Sequence, residues 1–85
     1  MAETELISLM SKKASESFQA GHNSIAEAIL LELLSIRRKA YGNNDVRTLS
    51  NISNLAIVYI KQSKFDQAIT LLNDCLKRKE EILGS

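Results

Sequence analysis

A gapless echo runs through this chain and limits what it can fold into. Ala26-x2-Ile29-x3-Leu33-Leu34-x-Ile36-Arg37-x4-Gly42 is answered by Ala68-x2-Leu71-x3-Cys75-Leu76-x-Arg78-Lys79-x4-Gly84. The offset is a constant 42 residues, from Ala26 and Ala68 to Gly42 and Gly84. A fixed period of this size marks a stacked array, because one such unit cannot bury its apolar face alone and its neighbours must cover it. Two units of this length use up the 85 residues. One small domain, residues 1–85, is therefore expected, with repeats at about 4–42 and 45–84.

The unit itself is read best from Asn51 to Gly84. Ile52, Leu55, Ala56 and Tyr59 recur at spacings of three and four, which places them on one face of a helix. Phe65, Ala68, Leu72 and Cys75 do the same in a second helix. Between them Gln62-Ser63-Lys64 is a polar break of the length that joins antiparallel helices. Ala56 and Ala68 are small enough for the two helices to approach closely, and Leu55, Tyr59 and Leu72 would fill the space around that crossing.

The known 34-residue helical-repeat pattern is Trp-x2-Leu-Gly-x2-Tyr, then Ala-x3-Phe, then Pro. Here Ile52 stands for the Trp, Leu55 fits, Ala56 stands for the Gly, Tyr59 and Ala68 fit, and Leu72 stands for the Phe. The stretch thus resembles a tetratricopeptide (TPR) repeat. The 42-residue period and the Ile36-Arg37-x4-Gly42 ending resemble the kinesin light chain class of that family, in which both helices are longer. That class usually opens its linking segment with Gly-Pro-x-His-Pro. Asn43 and Val46 stand where its prolines would be, and the chain has no proline at all. The resemblance covers residues 10–84.

What the resemblance implies is an all-α fold: four antiparallel helices forming two TPR hairpins, a fragment of an α-α superhelix. It also implies a concave wall made by the first helix of each hairpin. In the second repeat that wall would hold Ser53, Asn54, Ile57, Ile60 and Lys61. In the first it would hold Ser8, Ser11, Lys12, Ser15, Phe18 and Gln19. Ser53, Asn54, Ile57, Lys61, Lys12 and Ser15 are the candidate peptide-binding residues. Asn54 matches a position where these repeats use an amide to hold peptide backbone, a task suited to a group that both donates and accepts. Its alternative is an ordinary exposed helix residue. Ile57 stands where carboxylate-clamping repeats carry a further Asn, so no clamp of that kind is expected.

Taken in order, residues Thr4 to Gln19 read as a first helix, with Leu6, Met10, Ala14 and Phe18 four apart. Its register against the repeat has two solutions. The strict offset sets Lys13 against Leu55 and Ser17 against Tyr59. A slide of one residue sets Phe18 against Tyr59 but needs a deletion in the following turn. Gly21 suits a left-handed turn residue. Asn23 or Ser24 can cap the second helix, with Glu27 in its first turn favouring the dipole. That helix runs to Tyr41, and Leu31 widens its apolar arc as if it were covered on both sides. Asn43, Asn44 and Asp45 link the repeats and offer caps to a third helix, about Val46 to Gln62. A fourth runs from Phe65 or Asp66 to Leu83. Arg37-Arg38-Lys39 and Lys77-Arg78-Lys79 read as cations placed near helix C-termini by the dipole.

Chemistry is sparse. There is no Gly-rich phosphate loop, nucleophile elbow or metal-ligand spacing. His22 is the only histidine and reads as a solvated turn residue; Cys75 is the only cysteine and reads as a packed thiol. No disulfide framework is possible within the chain, which suits a reducing compartment. A net charge of +1 gives no field for nucleic acid or an anionic membrane, and no apolar run reaches the roughly 18 residues of a membrane span. The expectation is a cytoplasmic, noncatalytic module without cofactors that binds a protein or peptide partner. The rival is a structural or self-assembling repeat unit, designed or excised, with no peptide ligand. The fourth helix carries Ile69, Leu72, Cys75, Leu76, Ile82 and Leu83, more apolar residues than one partner helix covers, so a homo-oligomer through that helix is also expected.

Overall fold

The computed structural model describes residues 3–84; Met1, Ala2 and Ser85 lie outside them. Among the described residues four α-helices follow one another: α1 (Glu3–Gln19), α2 (Asn23–Tyr41), α3 (Val46–Lys61) and α4 (Phe65–Leu83). Each packs on its neighbours in the chain, α1 on α2, α2 on α3 and α3 on α4. The product is a slab of helices measuring 39 × 35 × 15 Å.

The two hairpin turns match bond for bond. Gly21 N–H donates to Phe18 O (3.1 Å) and His22 N–H to Ser17 O (2.8 Å). In the second hairpin Ser63 N–H donates to Ile60 O (3.0 Å) and Lys64 N–H to Tyr59 O (2.8 Å). Both are Schellman closures, which need a left-handed residue after the helix. Gly21 supplies it at φ +81°, and Ser63 does so at φ +61° without the freedom of glycine. The strict 42-residue register of α1 follows. Ser17 occupies the place of Tyr59, Phe18 that of Ile60, and the turn contains no deletion. Ile7, Ala14 and Ser17 are buried, at the places of Leu49, Ala56 and Tyr59. Lys13, at the place of Leu55, is exposed because that side of α1 meets no helix among the described residues.

The small residues fall where close approach needs them. Ala14 and Ala26 in the first hairpin, and Ala56 and Ala68 in the second, are all buried. α2 is covered on two sides, by α1 and α3, as expected; α3, covered by α2 and α4, has the most buried positions. Thr48, Asn51, Leu55 and Val58 form one buried stripe on it, and Leu49, Ile52 and Ala56 another. Leu31 stays exposed, so it does not widen the buried arc of α2; Ala26, Leu30, Leu33 and Leu34 form that arc. Leu72 and Phe65 are also exposed rather than packed in the hairpin. Cys75 is the expected packed thiol, its Sγ near Leu49 O (3.7 Å) and Ser53 Oγ (3.5 Å).

The caps differ in part from the sequence expectation. α2 begins at Asn23 itself and His22 precedes it without a side-chain cap, so neither Asn23 nor Ser24 takes that role. Glu27 lies beyond the first turn and instead meets Lys64 Nζ at 3.2 Å, joining the two hairpins. Asp45 does cap α3: its Oδ1 accepts from Arg47 N–H at 2.8 Å. The same carboxylate holds the Arg47 side chain at 2.9 and 3.1 Å, and the guanidinium lies 3.5 Å over the Tyr41 ring. Hydrogen bonds from Arg47 hold the Asp45 carboxyl down to about 2. Arg78 donates to Asn44 Oδ1 (3.0 Å) as well as to Asp74. These contacts tie down a link that has no proline to stiffen it. Arg38 and Lys39 do lie in the last turn of α2 and Gly42 ends it with φ +90°. Lys77, Arg78 and Lys79 stand before the last turn of α4, so the dipole does not account for them.

Candidate functional site

A groove of ≈ 310 Å³ opens between α1 and α3, with α2 as its floor. α1 contributes Ser11, Ala14, Ser15 and Phe18; α2 contributes Leu30, Leu33 and Arg37; α3 contributes Ser50, Asn51, Asn54, Ile57 and Val58. The repeat explains the shape. α1 and α3 both lean on α2, and the two leave a trough above its middle.

The floor is held by two polar side chains. Arg37, near the end of α2, donates from Nη2 to Ser11 Oγ (3.0 Å) on α1. Its Nη1 lies 3.3 Å from Arg47 O and 3.5 Å from Asn51 Oδ1, both on α3. One guanidinium on α2 therefore touches both α1 and α3. Asn51 is wholly buried and donates from Nδ2 to Leu30 O at 3.0 Å. A buried amide without partners would be destabilising, so this bond sets how α3 sits along α2. Thr48 Oγ1 approaches Arg37 O at 3.4 Å on the same seam. Arg37 is the one charged residue among those lining the groove, and no carboxylate lines it. The groove is otherwise neutral and polar at Ser11, Ser15, Ser50, Asn51 and Asn54, and apolar at Phe18 and Ile57.

The candidate residues from the sequence divide. Ser15, Asn54 and Ile57 line the groove together, with Ser11 and Phe18. Lys12 and Lys61 are exposed and do not line it; nor do Ser8, Gln19 and Ile60. Ser53 is half-buried against α4, its Oγ 3.5 Å from Cys75 Sγ. The division has a geometric cause. The two walls are different sides of equivalent helices, sharing only the Ser15 and Ile57 position: α1 turns the side toward α2 into the groove, and α3 turns the side toward α1. Ser11 and Ser53 are equivalent by the 42-residue offset, so when one faces the groove the other faces away.

Sequence reasoning missed Arg37, Ser50 and Asn51. A signal existed for two of them. Thr48, Asn51, Leu55 and Val58 are spaced three, four and three apart, a second inward stripe. Leu30, Leu33 and Leu34 carry the inward stripe of α2 on to Arg37. Among the described residues no group of His, Cys, Asp and Glu could hold a metal, and no helix is long and apolar enough to cross a membrane.

Comparison with known proteins finds a family model described as tetratricopeptide repeat, which matches residues 10–81. No curated protein and no solved structure gives a significant match.

Proposed function

The chain belongs to the tetratricopeptide repeat family, and we propose that it is a noncatalytic protein–protein interaction module whose α1–α3 groove binds a peptide segment of its partner. The observation that carries this reading is the amide of Asn54. It is exposed, makes no side-chain hydrogen bond among the described residues, and stands in the groove beside exposed Ile57. An open amide can both donate to and accept from a peptide backbone, while Ile57 and Phe18 offer apolar contact to a neighbouring side chain. One buried thiol and a net charge of +1 support a reducing, cytoplasmic setting with protein partners rather than nucleic acid or membrane.

The test is affinity capture with mass spectrometry, comparing the intact chain with an Asn54→Ala, Ile57→Lys variant. Both side chains are exposed, so helicity should be unchanged while specific capture is lost. Capture that survives this pair but is lost on Glu32→Lys would move the function to the outer face of α2.

A second reading is supported by two pairs of equivalent leucines. Leu30 and Leu34 are 6% and 5% exposed beneath α3. Leu72 and Leu76, 42 residues later, are 41% and 56% exposed, because no helix among the described residues covers that side of α4. We propose that a second copy of the chain covers it, giving a homo-oligomer through α4. This reading is independent of the groove, which lies on the other side of α3.

A further inference from the structure

We infer that α4 pairs with α4 of a second copy in a two-fold, antiparallel coiled-coil contact, so that the chain closes as a dimer and does not extend as a stack. This rests on the α4 interface proposed above and fixes its partner helix, direction and register.

The seam is the first argument. Phe65, Ile69, Leu72, Leu76, Lys79 and Leu83 are spaced four, three, four, three and four apart, the a/d spacing of a coiled coil. All of them are exposed, the apolar ones between 41% and 83%. Ala68 and Cys75, the buried residues of α4, lie on another face of the helix. Against an antiparallel copy the seam answers itself. Phe65 stands opposite Leu83 of the copy, Ile69 opposite Lys79 and Leu72 opposite Leu76, and each pair recurs with the copies exchanged. α4 runs from Phe65 to Leu83, so this register overlaps the two helices along their whole length. α3 already holds α4 in place, so the pairing has no helix to order.

Charge sets the direction. A parallel pair in register would set Lys79 against Lys79. The antiparallel pair sets it against Ile69, where its methylenes give apolar contact and its ammonium reaches water. It also brings the positive end of each helix dipole beside the negative end of the other.

The repeat argues against the other occupant of this face, a helix like α3. On α2 the equivalent face receives α3 through polar contacts: Glu27 meets Lys64, and Tyr41 lies under Arg47. At those two places α4 has Ile69 and Leu83, which offer nothing to such cations. In a second copy the side equivalent to the α2-facing side of α3 is the open side of α1. It carries exposed Lys13 and Glu16 where α3 carries buried Leu55 and Val58. A head-to-tail stack would take both charges out of water, whereas the α4 pair touches neither. The α4 pair is isologous and closes at two chains; the stack is heterologous and stays open.

The test begins with sedimentation equilibrium of the native chain over a hundredfold concentration range, which depends on no variant. A monomer–dimer equilibrium with nothing larger than two chains is expected. Ile69→Cys and Lys79→Cys are then made separately in a Cys75→Ala chain whose helicity and sedimentation match the native chain's, with Cys75→Ser in its place if they do not. Each is oxidised with copper phenanthroline alone and in an equal mixture. The mixture should give at least tenfold more disulfide-linked dimer than either chain alone. Like positions stand about 15 Å apart along the pair, beyond the reach of a disulfide. A native chain that is monomeric throughout, or self-association that survives Leu72→Glu with Leu76→Glu, would overturn both this inference and the α4 interface. Association that is lost on that pair but grows beyond two chains would overturn this inference alone. So would either cysteine linking to itself as readily as to the other, or no link in any sample.

Discussion

Ser63→Gly should stabilise this protein. Ser63 and Gly21 are equivalent residues of two identical turns, held at φ +61° and +81°. A left-handed conformation costs a residue with a Cβ roughly 1–2 kcal/mol, and the Ser63 hydroxyl makes no hydrogen bond among the described residues that would offset this. Glycine removes that strain but loses more chain entropy on folding, roughly 0.5–1 kcal/mol. The net gain should be about 0.5–1 kcal/mol, a rise in Tm of roughly 2–8 °C for a domain of this size. Gly21→Ala is the mirror experiment. A Cβ at Gly21 would meet nothing within 4 Å, so its loss, again about 0.5–1 kcal/mol, reports the backbone angle alone. The turns share no side-chain partner, so the two changes together should nearly cancel. Urea unfolding followed by far-ultraviolet circular dichroism, at low chain concentration and with unchanged m, measures all three. A Ser63→Gly chain of equal or lower stability would refute the equivalence of the turns, and with it the register assigned to α1.

Three further outcomes are expected. Ala68→Leu, at a buried crossing position, should cost about 1–3 kcal/mol by overpacking, seen as a lower urea midpoint; an unchanged midpoint would undo the alignment of the second hairpin. Asp45 has its folded pKa lowered from 3.8 to about 2, so its contribution is present above the unfolded value and lost as pH falls through the folded one. Between about pH 4 and 2 the midpoint of the native chain should therefore fall more steeply than that of Asp45→Ala, and parallel curves would remove the cap from the account. Leu72→Glu with Leu76→Glu should abolish concentration-dependent size in light scattering over a hundredfold range without changing helicity. A native chain that is monomeric throughout that range would dispose of the α4 interface.

Much of the fold was legible because helices and tight turns are written locally. Spacings of three and four located the helices, and α2 and α4 carry the same 19 residues of helix that the 42-residue echo demands. Gly21 announced its left-handed angle, and Asp45 its cap. The register of α1 was not legible. Side-chain size argued for matching Phe18 to Tyr59, whereas the backbone bonds of the turn, made by any sequence that can adopt them, decided for Ser17.

The candidate site shows the same boundary more sharply. The chain by itself determined that Asn54 and Ile57 share a helix face, that Ser11 and Ser53 are equivalent, and that α4 has apolar residues to spare. Only the tertiary structure decided that Ser11 faces the groove and Ser53 faces Cys75, that Leu30 is covered and Leu72 is not, and that Arg37 on α2 touches both α1 and α3 rather than merely facing a dipole. A repeat makes residues equivalent along the chain, but what each one touches depends on which neighbour stands on its side. That neighbour is supplied by the stacking order of the helices, and no local spacing records it.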